Sequence, residues 1–241
     1  ARESVMRRRK AGGIIQYALV TIVVLVASQC MAATDAAAQT FSDVPSSYWA
    51  YTYIESLAAS GITTGCGAGK YCPTDAVTRS QMAVFLERGM RGAAYRPPAA
   101  TGAIFGDVGA GDFAASYIEQ LFRDGITAGC GGGNYCPNVQ VTRDQMAVFL
   151  LRAKYGSGYR PTQAAGVFSD VPVSYWAASW IERLAAEGIT AGCGGGKYCP
   201  GSPVKRDQMA VFLVRTFSLP IVVPPSGFKW DQGNWDQSNW Q

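Results

Sequence analysis

The sequence predicts an all-α fold in which three helix–loop–helix repeats pack as one pseudo-threefold domain with disulfide-stapled loops. The main observation is a pattern that occurs three times: F-x-D-V, then G-I-T-x-G-C-G-x-G-x-Y-C-P, then R-x-Q-M-A-V-F-L. Its copies begin at Phe41, Phe105 and Phe168, and this spacing is too regular for coincidence. Because a helix pair of this size cannot bury its apolar stripe alone, we expect the copies to share one core.

Each F-x-D-V pattern is followed by a segment whose apolar residues have helical spacing. In the first copy Ile54 and Leu57 fall on one face, and Gly61 follows as a stop signal. This pattern predicts first helices over residues 48–60, 115–124 and 177–187.

The Gly-rich cysteine segment, residues 61–73 in the first copy, contains too many glycines for a regular element and is predicted to be a loop. A second helix should follow, because Thr78 can cap it and Met82, Phe85 and Leu86 form an apolar stripe. The predicted second helices span residues 78–90, 142–154 and 205–217.

The predicted repeats occupy residues 39–91, 102–154 and 166–217. The segments between them, residues 92–103 and 156–166, are rich in Gly, Ala and Pro. Such composition favours extended crossovers between the repeats.

Seven cysteines are present, and six of them form three pairs at one repeated spacing. The pairs are Cys66 with Cys72, Cys130 with Cys136, and Cys193 with Cys199. In an exported chain they suggest three local disulfides, each of which adds roughly 2 kcal/mol in the chain-entropy model. Metal binding is the competing interpretation, but C-x5-C is not a usual zinc spacing and the chain has no histidine, so we predict no metal.

Residues 1–38 have the features of an export signal. Residues 7–10 form a basic region, residues 14–27 form an apolar region, and residues 36–38 supply an A-x-A cleavage site. A retained membrane anchor is the alternative, although about 14 apolar residues are fewer than the roughly 20 needed to span a bilayer. A lipoprotein modified at Cys30 and a pilin-type processing site near Gln16 are weaker hypotheses.

Composition argues against several classes of function. Outside residues 1–38 there are 16 basic and 15 acidic side chains, a balance that offers no field for the phosphates of nucleic acid. Without histidine, a nucleophile motif or a phosphate-binding loop, we expect neither an enzyme nor a cofactor. Paired acids for glycoside cleavage stay open, since each copy contains Asp and Glu.

Short motifs recur in each copy. The first copy has F-S-D-V-P at Phe41, Y-W-A at Tyr48, G-I-T at Gly61 and V-T-R-S-Q at Val77, and the other copies repeat most of them in order. These motifs resemble the S-layer homology (SLH) domain family of bacterial envelope proteins, which usually has three tandem copies. The resemblance covers about residues 40–217 and implies a spindle of three units.

The resemblance implies non-catalytic attachment at the bacterial cell surface or envelope, through grooves between units that bind anionic cell-wall polysaccharide or peptidoglycan. The family's Thr-Arg-Ala-Glu motif matches residues 78–81, 142–145 and 205–208. Arginine suits such a ligand, because its planar fork donates two parallel hydrogen bonds to a carboxylate. The implied ligand contacts in this motif are Arg79, Arg143, Arg206, Gln81, Gln145 and Gln208.

Other recurring side chains have a functional and a structural interpretation. Trp49 and Trp176 could stack on sugar rings or pack into the core. The aspartates that precede the first helices could contact ligand or satisfy backbone donors. These aspartates are Asp43, Asp107 and Asp170.

The motif arginines also have a structural alternative, which is ion pairing with the glutamates of the first helices. Those glutamates are Glu55, Glu119 and Glu182.

The copies also depart from the family pattern: copy two has Gly109 and Phe113 in place of Pro and Trp, and copy three has Lys205 in place of Thr. We therefore expect the groove of copy two to be the weakest.

Residues 218–241 form a tail in which Trp230, Trp235 and Trp240 recur every five residues. This period fits neither a helix nor a strand, so we expect the tail to be disordered or to dock on a partner, on glycan or on the domain. The tail motivates an alternative function, a structural subunit of a surface layer, filament or envelope assembly that associates through these tryptophans.

Overall fold

The computed structural model describes residues 39–223. Within that range the chain forms six α-helices and no β-strand, which confirms the predicted all-α class. In chain order the helices are α1 (Tyr51–Ala59), α2 (Arg79–Arg91), α3 (Ala115–Arg123), α4 (Arg143–Tyr155), α5 (Ala178–Ala186) and α6 (Arg206–Phe217). None of these helices has the length and apolar character needed to cross a membrane. The predicted export segment and the tail tryptophans lie outside the described residues.

The first helix of copy one begins at Tyr51, later than predicted. Two consecutive turns precede it: the Tyr48 N–H donates to Pro45 O at 2.8 Å, and the Tyr51 N–H donates to Tyr48 O at 2.9 Å. Tyr48 and Trp49 therefore precede α1 and are not part of its apolar stripe.

The second helices begin at the motif arginines and are capped from within the motif. Thr78 Oγ1 accepts the Gln81 N–H at 3.3 Å, and Gln81 Oε1 accepts the Thr78 N–H at 3.2 Å, which forms a capping box. In α4 and α6 the carboxylates of Asp144 and Asp207 accept the following backbone N–H at 2.7 Å. The first turn of α6 is thus supported although Lys205 replaces the threonine.

Helices pair between copies and not within them. α3 packs on α2, α5 packs on α4 and α1 packs on α6, so each first helix lies against the second helix of the preceding copy. The second helices α2, α4 and α6 also contact one another. The shared core is therefore confirmed, whereas the two helices of one copy do not lie side by side, so that a single copy is not a packing unit by itself.

Three valines form a hydrogen-bonded ring where the copies meet. The Val77 N–H donates to Val204 O at 2.9 Å, the Val204 N–H donates to Val141 O at 2.9 Å, and the Val141 N–H donates to Val77 O at 3.0 Å. All three valines are fully buried. The ring satisfies backbone groups that would otherwise be unpaired in the core, and it defines the pseudo-threefold axis.

The cysteine loops are closed by the three predicted disulfides, each within one copy. A glycine in each loop is sterically required. A Cβ atom at Gly65 would lie 2.1 Å from Lys70 O, and its φ of +89° is unfavourable for other residues. Gly129 and Gly192 have the same close approach in the other copies.

The recurring glutamates of the first helices hold the segment that precedes each copy. Glu55, Glu119 and Glu182 accept backbone N–H groups of residues 40, 101–102 and 165–167, with N···O distances of 2.6–3.0 Å. Their carboxylates make this contact in place of the alternative ion pairs with the motif arginines. Each connector is thereby fixed to the helix that follows it.

One carboxyl group is buried where the other copies have an apolar residue. Glu87 of α2 is fully buried, and its equivalents are Leu151 and Val214. Its Oε2 pairs with Arg91 at 2.5 Å, and its Oε1 has no hydrogen-bond partner in the described part of the chain. Burial raises the pKa of Glu87 to about 8, although the Arg91 guanidinium beside it acts in the opposite direction.

Glu87→Leu, which reproduces the residue of copy two, should change how stability depends on pH. The pKa of the folded-state carboxyl lies above its ordinary value of 4.5, so its contribution to stability is complete below that pH and is lost as the pH rises towards 8. From about pH 5 to pH 8, the free energy of unfolding of the wild type should fall relative to the variant, by at most about 1.4 kcal/mol per pH unit. Urea denaturation across this range measures the difference.

Glu87→Gln is the matched control, because it removes the titrating proton and keeps the shape of the side chain. It should flatten the pH dependence as Glu87→Leu does. The chain has no histidine, so few other groups titrate in this window. Parallel pH profiles for the wild type and both variants would contradict the raised pKa.

Candidate functional site

The motif arginines are buried between neighbouring copies. Each is the first residue of a second helix and is at most 5% exposed. Each Nε atom donates to a backbone oxygen in the cysteine loop of the next copy: Arg79 to Tyr135 at 2.7 Å, Arg143 to Tyr198 at 2.8 Å and Arg206 to Tyr71 at 2.8 Å.

In each pair the tyrosine also contacts the arginine through its side chain. Its hydroxyl donates to the backbone oxygen of the same arginine at 2.7–2.8 Å, and its ring centre lies 4.7 Å from the guanidinium carbon. Burial raises the pKa of all three tyrosine hydroxyls, which keeps them neutral donors. Burial also lowers the pKa of Arg79 and Arg143, yet arginine stays charged in proteins. We call this reciprocal contact the Arg–Tyr clamp.

The clamp does not use every N–H group of the guanidinium. The Nη2 atoms of Arg79 and Arg206 are buried and have no hydrogen-bond partner among residues 39–223. A buried donor without a partner is costly, so it is a position where an external acceptor would bind favourably.

These two arginines line grooves at the boundaries between copies. The first groove, about 270 Å³, combines Arg206 of copy three with residues 62–65 of copy one and Phe113 of copy two. The second groove, about 430 Å³, combines Arg79 of copy one with residues 126–130 of copy two and a tryptophan of copy three. The described residues that line them include no Asp or Glu, so both grooves have a positive character.

Sequence reasoning missed a second arginine in each groove. Arg88 lines the first groove and Arg152 the second. Their Nη1 atoms donate to Ile62 O and Ile126 O at 3.2 Å, and each guanidinium lies 5.6–5.8 Å from an aromatic ring of the next copy. Their Nε atoms are buried without a hydrogen-bond partner in the described range. The signal was available, because both end a recurring F-L-x-R pattern.

Aromatic residues stand at the edges of the grooves. Trp176 is 59% exposed and lines the second groove, while Phe113 is 69% exposed and lines the first. Trp49 differs, because it is half-buried and its Nε1 donates to Asp207 at 3.2 Å. Phe113, which replaces Trp, was expected to weaken the groove of copy two. In the structure Phe113 lines the first groove, whose loop, residues 62–65, belongs to copy one.

The three predicted aspartates hold the cysteine loops. The Asp43 carboxylate accepts the N–H groups of Tyr71 and Cys72 at 2.7 and 2.8 Å, and Asp107 and Asp170 make the same contacts at 2.7 Å in their copies. Burial acts to raise the pKa of Asp43 and Asp107, but the two backbone donors outweigh it and hold the pKa below its usual range. These contacts correspond to the structural interpretation.

The motif glutamines lie beside the arginines. Gln81 lines the first groove and also completes the capping box of α2. Gln145 lines the second groove, and its Oε1 is buried with no hydrogen-bond partner within residues 39–223. Gln208 is largely buried, and its Oε1 accepts the Lys205 N–H at 3.2 Å.

A cluster of Asp170, Cys193 and Cys199 has the donor atoms of a metal site. Both sulfur atoms are joined in a disulfide, and the Asp170 carboxylate accepts two backbone N–H groups. A disulfide supplies no thiolate ligand, so this cluster is a structural part of the loop.

Comparison with known proteins decides the family. The model of the S-layer homology domain matches residues 40–83, 104–147 and 167–210, which together make up more than half of the chain. The chain belongs to the S-layer homology domain family. Each match runs from the F-x-D-V motif into the second helix of the same copy, so the resemblance and the three tandem repeats are confirmed.

Several curated proteins are similar to this SLH chain. An endoglucanase of Bacillus sp. (strain KSM-635) is 34% identical over 47% of this chain and 11% of its own length. An amylopullulanase of Thermoanaerobacterium thermosulfurigenes is 30% identical over 73% of this chain and 9% of its own length. The S-layer protein EA1 of Bacillus anthracis is 28% identical over 75% of this chain and 20% of its own length. The chain thus spans a fifth or less of each of these relatives.

Family membership and the cell-surface relatives confirm the predicted exported location at the cell surface or envelope. They also support a role in cell-surface anchoring or in association with a surface layer. Family membership and the similarity to an S-layer protein suggest a non-catalytic anchoring domain. The two enzymes match this SLH chain over only a small part of their own lengths.

Arg143→Ala should destabilise the SLH domain, because it leaves Tyr198 O without its donor and removes a guanidinium from a site that is 1% exposed. Breaking a buried contact of this kind costs about 3 kcal/mol. Urea denaturation of the full chain with its disulfides intact measures the loss. Arg160→Ala is the control, since exposed Arg160 donates to nearby backbone oxygens, and it should change stability by about 0.5 kcal/mol or less. Equal stability of the two variants would argue against the clamp.

Proposed function

We propose that this SLH chain attaches to the cell wall by binding polysaccharide or peptidoglycan in the grooves between its copies. The observation that carries the proposal is the pair of arginines in each groove, Arg206 with Arg88 and Arg79 with Arg152. Each of these four side chains has a buried N–H group without a hydrogen-bond partner among the described residues. Such donors favour a negatively charged ligand rich in acceptor atoms.

A sugar that carries a carboxylate, such as a pyruvylated or uronic sugar, fits this chemistry. Its carboxylate would accept from the unused guanidinium edges, and no acidic side chain among the described lining residues would repel it. The exposed ring of Trp176 would pack against a face of the sugar. Charge and stacking together would orient the ligand along the groove.

The Arg–Tyr clamp favours such binding because it fixes the arginine before the ligand arrives. Arg79 is held by Tyr135 O at 2.7 Å and by the ring of the same tyrosine. A flexible side chain would lose rotamer freedom on binding, and a clamped one has already lost it on folding. The donors are therefore preorganised for an acceptor.

We infer that the second groove is the principal site. It is larger than the first, about 430 against 270 Å³, and its edge has Trp176 where the first groove has Phe113. Indole gives a larger stacking surface than a phenyl ring. The two described grooves should therefore differ in affinity.

Trp176→Ala should weaken binding to wall material about tenfold without destabilising the fold. The side chain is largely exposed, so its loss removes a stacking surface worth about 1.4 kcal/mol and leaves the core intact. Co-sedimentation with purified sacculi over a range of protein concentrations measures the affinity. Val173→Ala, at another exposed apolar residue of the same copy, is the matched control and should bind as the wild type does. Equal affinities of the two variants would remove Trp176 from the site.

The same assay separates the two ligand classes. Loss of binding on sacculi stripped of secondary polymer would identify the polysaccharide, and retained binding would identify peptidoglycan. A wild-type chain that pellets with neither preparation would refute attachment through these grooves.

A structural subunit of a surface layer, filament or envelope assembly is the second candidate. It is favoured by the similarity to S-layer protein EA1, which covers 75% of the chain. The contact residues predicted for it, Trp230, Trp235 and Trp240, lie outside the described residues, so this hypothesis stays a prediction. Ordered particles in electron micrographs of the purified chain, without wall material, would support it, whereas a monomer that pellets with sacculi would favour attachment.

A further inference from the structure

The Cys130–Cys136 disulfide forms part of the wall of the second groove. Both cysteines line that groove together with Arg79 and Trp176. Cys130 is exposed and Cys136 is half-buried, so small thiols can reach the bridge. The described lining of the first groove, by contrast, does not include the equivalent pair, Cys66 and Cys72.

The loop that this disulfide closes also holds the arginine of the same groove. Tyr135 accepts Arg79 Nε at 2.7 Å and covers the guanidinium with its ring. Just after the bridge, Pro137 O accepts the Ser80 N–H at 3.0 Å and Val139 O accepts the Arg79 N–H at 2.9 Å. The groove wall, the arginine and the start of α2 therefore depend on the conformation of one loop.

The two sides of this loop are held differently. Asp107 fixes the side that contains Tyr135 and Cys136, through two backbone N–H groups at 2.7 Å. The groove side, which ends at Cys130, is separated from it by three consecutive glycines with φ of 58–110°. Glycines sample many conformations, so the loop needs a constraint to keep this one. The bridge ties Cys130 to the anchored side, and backbone hydrogen bonds assist it: Cys130 N donates to Asn134 O at 2.8 Å, Asn134 N to Gly131 O at 3.0 Å and Gly106 N to Gly133 O at 2.9 Å.

We propose that the Cys130–Cys136 disulfide is a redox gate for the second groove. With the bridge formed, the groove has its wall and its fixed Arg79; with the bridge reduced, the glycines release Cys130 and the ligand is bound much more weakly. This inference rests on the proposed function of the groove. Its biological consequence is that the chain gains wall affinity in an oxidising compartment and lacks it in a reducing one.

The chemistry of the gate is thiol–disulfide exchange. Two equivalents of a thiol supply two electrons and two protons, the S–S bond breaks, and the products are the Cys130 and Cys136 thiols and one disulfide of the reductant. Exchange with an external disulfide reverses the step: the Cys130–Cys136 bond forms again, and the two electrons and two protons pass to the external disulfide, which becomes two thiols. No other co-reactant is needed.

The test compares the oxidised full chain with the double variant Cys130→Ser/Cys136→Ser in co-sedimentation with purified sacculi. We expect the variant to bind at least about tenfold more weakly while its circular dichroism retains the helical spectrum. The matched control is Cys66→Ser/Cys72→Ser, which opens the equivalent loop of the first groove and should weaken binding less than about threefold. Titration of the wild type with dithiothreitol is the second measurement, and binding should fall with reduction before helicity does and return on reoxidation.

The outcomes separate the gate from the function on which it rests. If the oxidised wild type does not bind sacculi, both proposals are overturned. If it binds and the Cys130→Ser/Cys136→Ser variant binds equally well, the gate is overturned and the proposed function stands. Equal losses in the two double variants, or binding lost only together with helicity, would indicate general destabilisation and would also overturn the gate.

Discussion

The Arg–Tyr clamp is the interaction on which the arrangement of the copies depends. A buried guanidinium has to donate to acceptors, and in this chain the acceptor of each motif arginine belongs to the loop of another copy. The third clamp joins Arg206 to Tyr71, 135 residues earlier, and so closes the order of the copies into a circle. The packing of α1 on α6 follows the same circular order. The valine ring at the axis also joins all three copies, with its N–H groups donating in the opposite sense.

One arginine per copy can serve the fold and a ligand because a guanidinium has five N–H donors in a fixed fork. Nε is used by the clamp, while a terminal nitrogen of Arg79 and of Arg206 has no partner within the described residues. Lysine could not divide its donors in this way, since its ammonium is a point charge at the end of a flexible stem. Stability and the proposed ligand binding therefore depend on the same arginine side chains. Substitution of the exposed Trp176 changes the proposed binding surface with less effect on stability.

The junctions between copies differ in a correlated way. Tyr48 donates to Asp207 at 2.7 Å and Tyr175 donates to Asp144 at 2.5 Å, which ties the start of one copy to the second helix of the preceding one. At the remaining junction Asp112 replaces the tyrosine, and the residue equivalent to Asp144 is Ser80. Two carboxylates at one junction would repel each other, so the two replacements compensate. Asp112 instead accepts the Gly109 N–H at 2.8 Å within its own turn.

The sequence by itself determined the features that depend on near neighbours along the chain. The six helices follow from local periodicity, the capping box from Thr78 and Gln81, and each disulfide from two cysteines six residues apart, which have few other partners. Only the tertiary structure decided which copy each helix contacts, that Arg79, Arg143 and Arg206 are buried, and that Arg88 and Arg152 share grooves with them. The three clamps join residues 55 to 135 positions apart, and three copies of one motif give no local signal of which loop will accept which arginine. The physical reason is that a repeated sequence encodes the contact surfaces equally in every copy, while the pairing of those surfaces is fixed only when all three copies close around a common axis.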